Sequence, residues 1–169
     1  MKKFIRLSVL VSIIAMTTAC KNRNETTVPE TTPTTEQNET VSTSENTLEI
    51  ESTDQMQYST NELKTGVGTI TLTLKHTGKM DKAVMGHNLI ILKPGTDITA
   101  FTQKAALAKA TDYIPESEKA SIIAHTRLLG GGGGESDTIE FTISEPGTYD
   151  FLCSFPGHAA LMKGKLVVE

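Results

Sequence analysis

Short stretches of alternating apolar and polar side chains constrain the fold of this chain more than any other feature. The alternation is cleanest over residues 69–74, where threonine alternates with isoleucine or leucine. A period of two is typical of a strand with one buried face. Similar short runs cover residues 48–50, 56–58, 88–92, 138–143, 148–153 and 163–168. Turn signals lie between several of these runs, so we predict an all-β, antiparallel Greek-key sandwich of about eight strands.

One segment departs from this pattern. Residues 97–110 are rich in helix-forming residues, and Asp97 or Thr99 is suited to cap a helix at its N-terminus. We therefore predict one helix inserted between strands near 97–110. The glycine run at 130–134 lacks the Lys-Ser/Thr pair of a phosphate-binding loop, and no helical pattern follows it. We predict a simple loop there.

The N-terminal residues 1–19 have the composition of a signal peptide. A basic start is followed by an apolar run, residues 7–16, that is too short to span a bilayer. The run ends in Thr17-Thr18-Ala19-Cys20, which resembles the cleavage site of bacterial lipoproteins, although Thr17 stands where an aliphatic residue is usual. We expect Cys20 to carry the lipid anchor. An ordinary secretory signal that leaves Cys20 free is the alternative.

Composition divides the rest of the chain into two parts. Residues 20–46 are mostly threonine, glutamate, asparagine, proline and serine, and we predict a disordered tether behind the lipidated cysteine. Residues 47–169 are the right size for one domain. The formal net charge of −4 argues against nucleic acid as a partner. We expect export and lipid anchoring to a bacterial membrane, with the domain in the periplasm or at the cell surface.

The residues that carry chemistry are concentrated near the C-terminus. Cys153, His158 and Met162 place a thiolate, an imidazole and a thioether within ten residues, at the end of a predicted strand and in the turn after it. His87 lies at the start of another predicted strand and could complete the set. Two histidines, one cysteine and a distant axial methionine are the ligands of a blue copper electron-transfer site. With every ligand supplied by the protein, no position remains for a substrate, so we do not expect an enzyme.

Other interpretations of these residues are open at this stage. A structural zinc site would use cysteine and histidine but has little use for methionine. A Cys–His nucleophile pair would need a third, orienting residue. Met162 could also be core filler, and a buried cysteine is often inert. The four residues together favour one copper ion.

Around these residues the chain resembles the azurins of the cupredoxin family. The resemblance rests on Met85-Gly86-His87-Asn88, on residues 153–164 with their Cys-x4-His-x3-Met spacing, and on shorter segments at 54–58, 76–80 and 123–126. It implies a cupredoxin sandwich with an inserted helix and a weak contact from the Gly86 carbonyl to the copper. It also implies that Asn88 hydrogen-bonds near the Cys153 loop and holds the two ligand segments together, with Ser154 and Phe155 beside the ligands. The alternative for Asn88 is a simple turn residue. His76 and His125 match family histidines that do not bind the metal.

The resemblance also implies how such a protein meets its partners. An apolar patch around the second ligand histidine would be the docking surface, formed by Met56, Met80, Val84, Met85, Phe155, Pro156 and Ala159. A small apolar patch of this kind suits transient contacts with partner proteins. The expected partners are a c-type cytochrome or a copper or haem reductase or oxidase, and we expect the domain to be monomeric. Several of the methionines could instead belong to the core.

Three functions follow in order of preference. The first is a membrane-tethered shuttle of single electrons between respiratory redox partners. The second is a copper carrier or chaperone, although the Met-rich and Cys-x-x-Cys segments usual in such proteins are missing from the sequence. The third is a metal-free adhesive sandwich. The family's N-terminal disulfide is missing, and Leu89 replaces a core tryptophan, so we expect the core to pack differently.

Overall fold

The computed structural model describes residues 46–132 and 134–169. The predicted signal peptide, Cys20 and almost all of the predicted tether lie outside these residues. The strands are β1 Thr47–Thr53, β2 Gln57–Tyr58, β3 Glu62–Thr65, β4 Gly68–His76, β5 Ile90–Leu92, β6 Ile122–His125, β7 Glu135–Ile143, β8 Gly147–Leu152 and β9 Lys163–Val168. The α-helices are α1 Lys82–Met85 and α2 Ile98–Leu107, and short 3-10 turns cover Lys109–Thr111, Glu116–Ser121 and His158–Ala160.

The strands form two sheets, which confirms the predicted all-β sandwich. One sheet has the strand order β2-β1-β4-β7 and the other β3-β9-β8-β5-β6. Most neighbours are antiparallel, but β1 pairs with β4 and β3 pairs with β9 in parallel. These two parallel pairs differ from the predicted antiparallel arrangement, because alternation of side chains carries no information about strand direction.

The alternating stretch at residues 69–74 lies at the centre of the core. In β4 the side chains of Ile70, Leu72 and Leu74 are fully buried, whereas the threonines between them are partly exposed. Full burial of such a side chain stabilises the fold by roughly 1.5–3 kcal/mol. On the other face of β4, Thr73 hydrogen-bonds to Thr138 of β7 at 2.8 Å. One apolar face therefore fixes the register of this sheet.

Helix α2 begins where the sequence predicts and ends slightly early. Asp97 is its N-cap, and its carboxylate accepts a hydrogen bond from the Ala100 N–H at 3.0 Å. Phe101 and Ala105 are buried in a second apolar cluster with Ile90 of β5 and Leu152 of β8. The helix ends at Leu107, and the 3-10 turn Lys109–Thr111 continues to the end of the predicted segment. This packing brings the helix against the strand that leads to Cys153.

Several elements differ from the predictions in detail. The strand predicted from residue 88 begins at Ile90, because His87 makes only an isolated bridge to Leu129. Strands β3 and β6 and helix α1 were not predicted, since each is only four residues long. The predicted simple loop packs closely: a Cβ on Gly130 would lie 2.6 Å from the Lys82 Cα.

Within the described residues, no helix is both long and apolar enough to cross a membrane.

The cap of α2 can be tested by substitution. Asp97→Ala removes the acceptor for the Ala100 N–H and should lower the free energy of unfolding by about 1 kcal/mol. Asp97→Asn keeps an acceptor and is the matched control, for which we expect a much smaller loss. Chemical denaturation of the three proteins measures the difference. Equal losses in both variants would show that the cap hydrogen bond does not stabilise the helix.

Candidate metal centre

Three of the predicted ligands converge in the structure. The ligand atoms of His87, Cys153 and His158 all lie within 4.8 Å of one another. The two imidazoles face each other with their Nδ1 atoms 3.2 Å apart, and the Cys153 sulfur lies 3.7 Å from Nδ1 of His158. All three residues are buried, and His158 retains only 4% of its exposure. Two nitrogens and one sulfur directed at a common point suit a copper ion.

His87 is held in place by its backbone. It forms a two-way bridge with Leu129: the His87 N–H donates to the Leu129 carbonyl at 2.9 Å, and the Leu129 N–H donates back at 2.7 Å. Gly86 comes just before it and ends helix α1. A Cβ on Gly86 would lie 2.6 Å from the Lys82 carbonyl, so only glycine fits there. The Gly86 carbonyl oxygen lies 4.0 Å from the Cys153 sulfur.

The other candidate ligands share one hydrogen-bonded loop after strand β8. The Cys153 N–H donates to the Met162 carbonyl at 3.0 Å, and the Met162 N–H donates to the His158 carbonyl at 2.8 Å. Gly157 turns the chain with a φ of 83°. Met162 is fully buried. The loop thus places Met162 beside Cys153, although its role as an axial ligand remains a prediction.

Asn88 joins the two ligand segments. The Ser154 N–H donates to Asn88 Oδ1 at 2.9 Å, and Asn88 Nδ2 donates to Ser154 Oγ at 2.8 Å. Both side chains are buried. In addition, the Tyr58 hydroxyl donates to the Asn88 carbonyl. These bonds link residues adjacent to His87 and to Cys153, which are 66 positions apart in sequence.

Burial keeps the candidate ligands uncharged in the absence of metal. Burial, together with nearby His158 and His76, lowers the pKa of His87 to about 4. Burial also lowers the pKa of His158. It raises the pKa of the Cys153 thiol to about 11, although the backbone N–H groups of Asn88 and Phe155 act in the opposite direction. Both imidazoles are therefore free to bind a metal at neutral pH, and binding would displace the thiol proton.

The predicted docking patch draws most of its residues from the two ligand segments, with Met80 and Val84 just before the first of them and Met56 from an earlier part of the chain. Met80 and Val84 are 40% and 59% exposed, and Pro156 is also exposed. Met56, Met85, Phe155 and Ala159 are partly buried. None of the three patch methionines is fully buried, so the alternative that they are core residues receives no support. Leu161, 64% exposed, belongs to the same loop and was not predicted as part of the patch.

The two family-matched histidines occupy different environments. His76 is buried, with its Nδ1 3.2 Å from the Ser52 hydroxyl and its Nε2 3.7 Å from the Asp54 carboxylate. Its ring centroid lies 5.1 Å from that of His87, outside the group of ligand atoms. His125 is exposed, and its Nδ1 lies 3.1 Å from the Thr126 carbonyl oxygen. Neither belongs to the cluster that could hold a metal.

Two aromatic residues next to the site were not recognised in the sequence. Tyr58 was seen only in a strand pattern and in a segment that resembles the azurins, with no role at the site, yet its hydroxyl contacts the Asn88 carbonyl. Tyr113 packs against Phe155, with ring centroids 5.0 Å apart. No spacing in the sequence marks either residue, because each reaches the site from a separate part of the fold.

Comparison with known proteins agrees with this geometry. The family model for copper binding proteins of the plastocyanin/azurin family matches residues 44–169. Azurin-2 of Alcaligenes xylosoxydans xylosoxydans is 40% identical over 122 residues, which is 69% of this chain and 92% of that protein. Outer membrane protein H.8 of Neisseria gonorrhoeae is 41% identical over 121 residues, 70% of this chain. The match spans 65% of the length of that protein.

Solved structures show the same fold. Dithionite-reduced auracyanin from the photosynthetic bacterium Roseiflexus castenholzii has a TM-score of 0.64 and 39% identity, covering 73% of this chain and 97% of that one. The azurin Az-iso2 from Methylomonas sp. strain J has a TM-score of 0.66 and 30% identity, and the match covers 75% of this chain and 99% of that one. The predicted family and the predicted copper cofactor are thereby confirmed. The chain belongs to the plastocyanin/azurin family of copper-binding proteins.

Proposed function

We propose that this protein carries single electrons through one type 1 copper ion. His87, Cys153 and His158 would hold the ion, with Met162 and, weakly, the Gly86 carbonyl as axial contacts. The observation that carries the proposal is the convergence of two buried imidazoles and a buried thiol within 4.8 Å. When bound, copper supplies the redox chemistry by gaining or losing one electron between Cu(I) and Cu(II).

The donor set favours electron transfer over catalysis. Thiolate and thioether ligands suit Cu(I), whereas imidazole also suits Cu(II). A coordination geometry intermediate between those that the two oxidation states prefer changes little when the electron moves. The three donors are almost completely buried, which leaves little room for a substrate. Burial also opposes the rapid metal exchange that a copper carrier needs, so the carrier hypothesis receives no support from this geometry.

The proposed setting is outside the cytoplasm. The signal-like residues 1–19 and Cys20 support export and lipid anchoring, and one relative is named an outer membrane protein. The exposed Met80, Val84 and Pro156 support a patch for brief contacts with a c-type cytochrome or a copper or haem reductase or oxidase. A domain that docks transiently in this way would act as a monomer on its tether.

Removal of the thiol tests the copper site directly. Copper-loaded wild-type protein should be intensely blue when oxidised and colourless when reduced, because the colour depends on the thiolate bond to Cu(II). Cys153→Ser should abolish the band, whereas Cys20→Ser, which removes the other cysteine of the chain, should leave it unchanged. Optical spectra of the three proteins decide the matter. A colourless wild-type Cu(II) complex, or a blue Cys153→Ser variant, would contradict the proposal.

The axial role of Met162 has its own test. Met162→Leu replaces the thioether with an apolar side chain of similar size, so the fold should survive. The variant should stay blue but show a higher reduction potential, because loss of a donor destabilises Cu(II) more than Cu(I). Protein voltammetry measures the shift. An unchanged potential would assign Met162 to the core alone.

The apo-protein should lose stability in mild acid. The pKa of His87 is about 4 in the folded protein and about 6.5 when unfolded, so the folded state has its full stability above pH 6.5. As the pH falls from about 6.5 to 4, the unfolded chain binds a proton that the folded chain does not. The free energy of unfolding should therefore fall, by an amount on the order of 3 kcal/mol.

Denaturation of the apo-protein at several pH values measures this loss. His87→Gln should flatten the profile between pH 6.5 and 4, whereas His125→Gln, at an exposed histidine, should preserve it. Bound copper should keep the profile steep and extend it below pH 4, since the metal excludes the proton from His87 in the folded state only. A His87→Gln profile as steep as that of the wild type would show that other groups cause the loss.

A further inference from the structure

An unbroken row of aromatic rings runs outward from the proposed ligands. His87 and His158 have ring centroids 5.0 Å apart, and Phe155 packs on His158 at 4.6 Å with an interplanar angle of 40°. Tyr113 then meets Phe155 edge to face, at 5.0 Å and 66°. Tyr113 is partly exposed and is the outermost ring of the row. Phe155 therefore has Tyr113 as a second aromatic neighbour besides His158.

Tyr113 belongs to neither ligand segment. It lies in the connection between α2 and β6, just after the 3-10 turn Lys109–Thr111. The same connection borders the other ligand segment, since Asn88 Nδ2 lies 3.5 Å from the Asp112 carbonyl. This third segment therefore contacts both halves of the site, at Asn88 and at Phe155.

The backbone at this point adopts an unfavourable conformation. Asp112 and Tyr113 are consecutive non-glycine residues with positive φ, 52° and 63°. Left-handed conformations of this kind persist only where surrounding contacts impose them, and they cluster at functional sites. Here the Tyr113 N–H donates to the Ala108 carbonyl at 2.9 Å, and Ile114 is buried beside α2. The strained pair directs the Tyr113 ring at Phe155.

The contact depends on the ring and not on the hydroxyl. Within the part of the chain that the structure describes, the Tyr113 hydroxyl makes no hydrogen bond, whereas the buried Tyr58 hydroxyl does. Edge-to-face packing of two aromatic rings contributes beyond the area it buries. A phenylalanine at 113 would keep that packing.

We propose that Tyr113 is a positioning residue for the copper site: through Phe155 it holds the His158 ring in place and limits the access of water to it. This inference rests on the proposed function and adds to it a third supporting segment. Substitution of residues that contact the metal ligands without binding the metal typically changes metal affinity 10- to 100-fold. The apolar surroundings of a site also influence its redox potential. Tyr113 should therefore influence both quantities.

The test uses two substitutions at the same position. Tyr113→Asn removes the ring while asparagine tolerates the left-handed backbone, so the variant should fold. In competition with a chelator, it should bind Cu(I) with an affinity about 10-fold lower than that of the wild type. Its reduction potential should fall, because water that reaches His158 favours the more highly charged Cu(II) state. Tyr113→Phe should restore wild-type values of both quantities.

A neighbouring variant separates positioning from general stability. Ile114→Val trims a buried side chain of the same segment, whose apolar cluster includes Phe101 and Ala105 of α2 but not Phe155. It should lower the melting temperature without changing copper affinity or potential. Wild-type copper affinity and potential in Tyr113→Asn would overturn the proposal. So would equal copper defects in Tyr113→Asn and Ile114→Val, or in Tyr113→Asn and Tyr113→Phe.

A measurement on the metal-free protein keeps this test independent of the proposed function. NMR of the apo-protein reports the flip rate of the Phe155 ring, which should rise in Tyr113→Asn and stay at the wild-type rate in Tyr113→Phe. An unchanged flip rate in Tyr113→Asn would refute the positioning role. A wild-type protein that binds copper without turning blue would refute the proposed function, while the flip rates would still decide the role of Tyr113.

Discussion

The paired hydrogen bonds between Asn88 and Ser154 are the interaction on which the rest of the site depends. They join two segments that are 66 residues apart in sequence, and each segment carries a candidate ligand next to the bonded residue. Contacts within its own segment do not by themselves orient His87 toward Cys153, or Cys153 toward His87. Because both partners are buried, the bonds do not compete with water, and breaking one would leave an unsatisfied polar group in the interior. The two sheets bring the segments close, and this pair sets their separation.

The same burial makes the metal-free site unfavourable for the free energy of folding. Two imidazoles and a thiol face one another without charge and with little hydrogen bonding, because burial lowers the pKa of both histidines and raises that of Cys153. A metal ion would replace these poor contacts with bonds to all three donors. The stability of the sandwich and the affinity for copper are therefore linked, and the fold holds the donors close together before the metal arrives.

Side-chain pattern and motif spacing predicted the architecture and the three residues His87, Cys153 and His158 that converge, while tertiary contacts decided the remainder. The alternation over residues 69–74 identified β4 because one face of that strand is buried, and Asp97 identified the start of α2 because its side chain caps the helix. Strands as short as Glu62–Thr65 carry too few residues to show a period. The parallel partner of that strand, β9, is set by topology. Tyr113 acts through a positive φ and a ring contact, neither of which has a sequence signature.

Under the proposed function, an electron would enter and leave through His158. His87 and Cys153 are completely buried, with the core on one side and helix α1 and the Gly130 turn nearby. His158 belongs instead to the loop that contains the exposed Pro156 and Leu161. A partner docked on that loop would approach the proposed copper through one imidazole, without opening the domain. A fixed position of the His158 imidazole then matters more than its exposure, because the distance to the docked partner must be the same in every encounter. The row Phe155–Tyr113 provides such support from the side, outside both ligand segments.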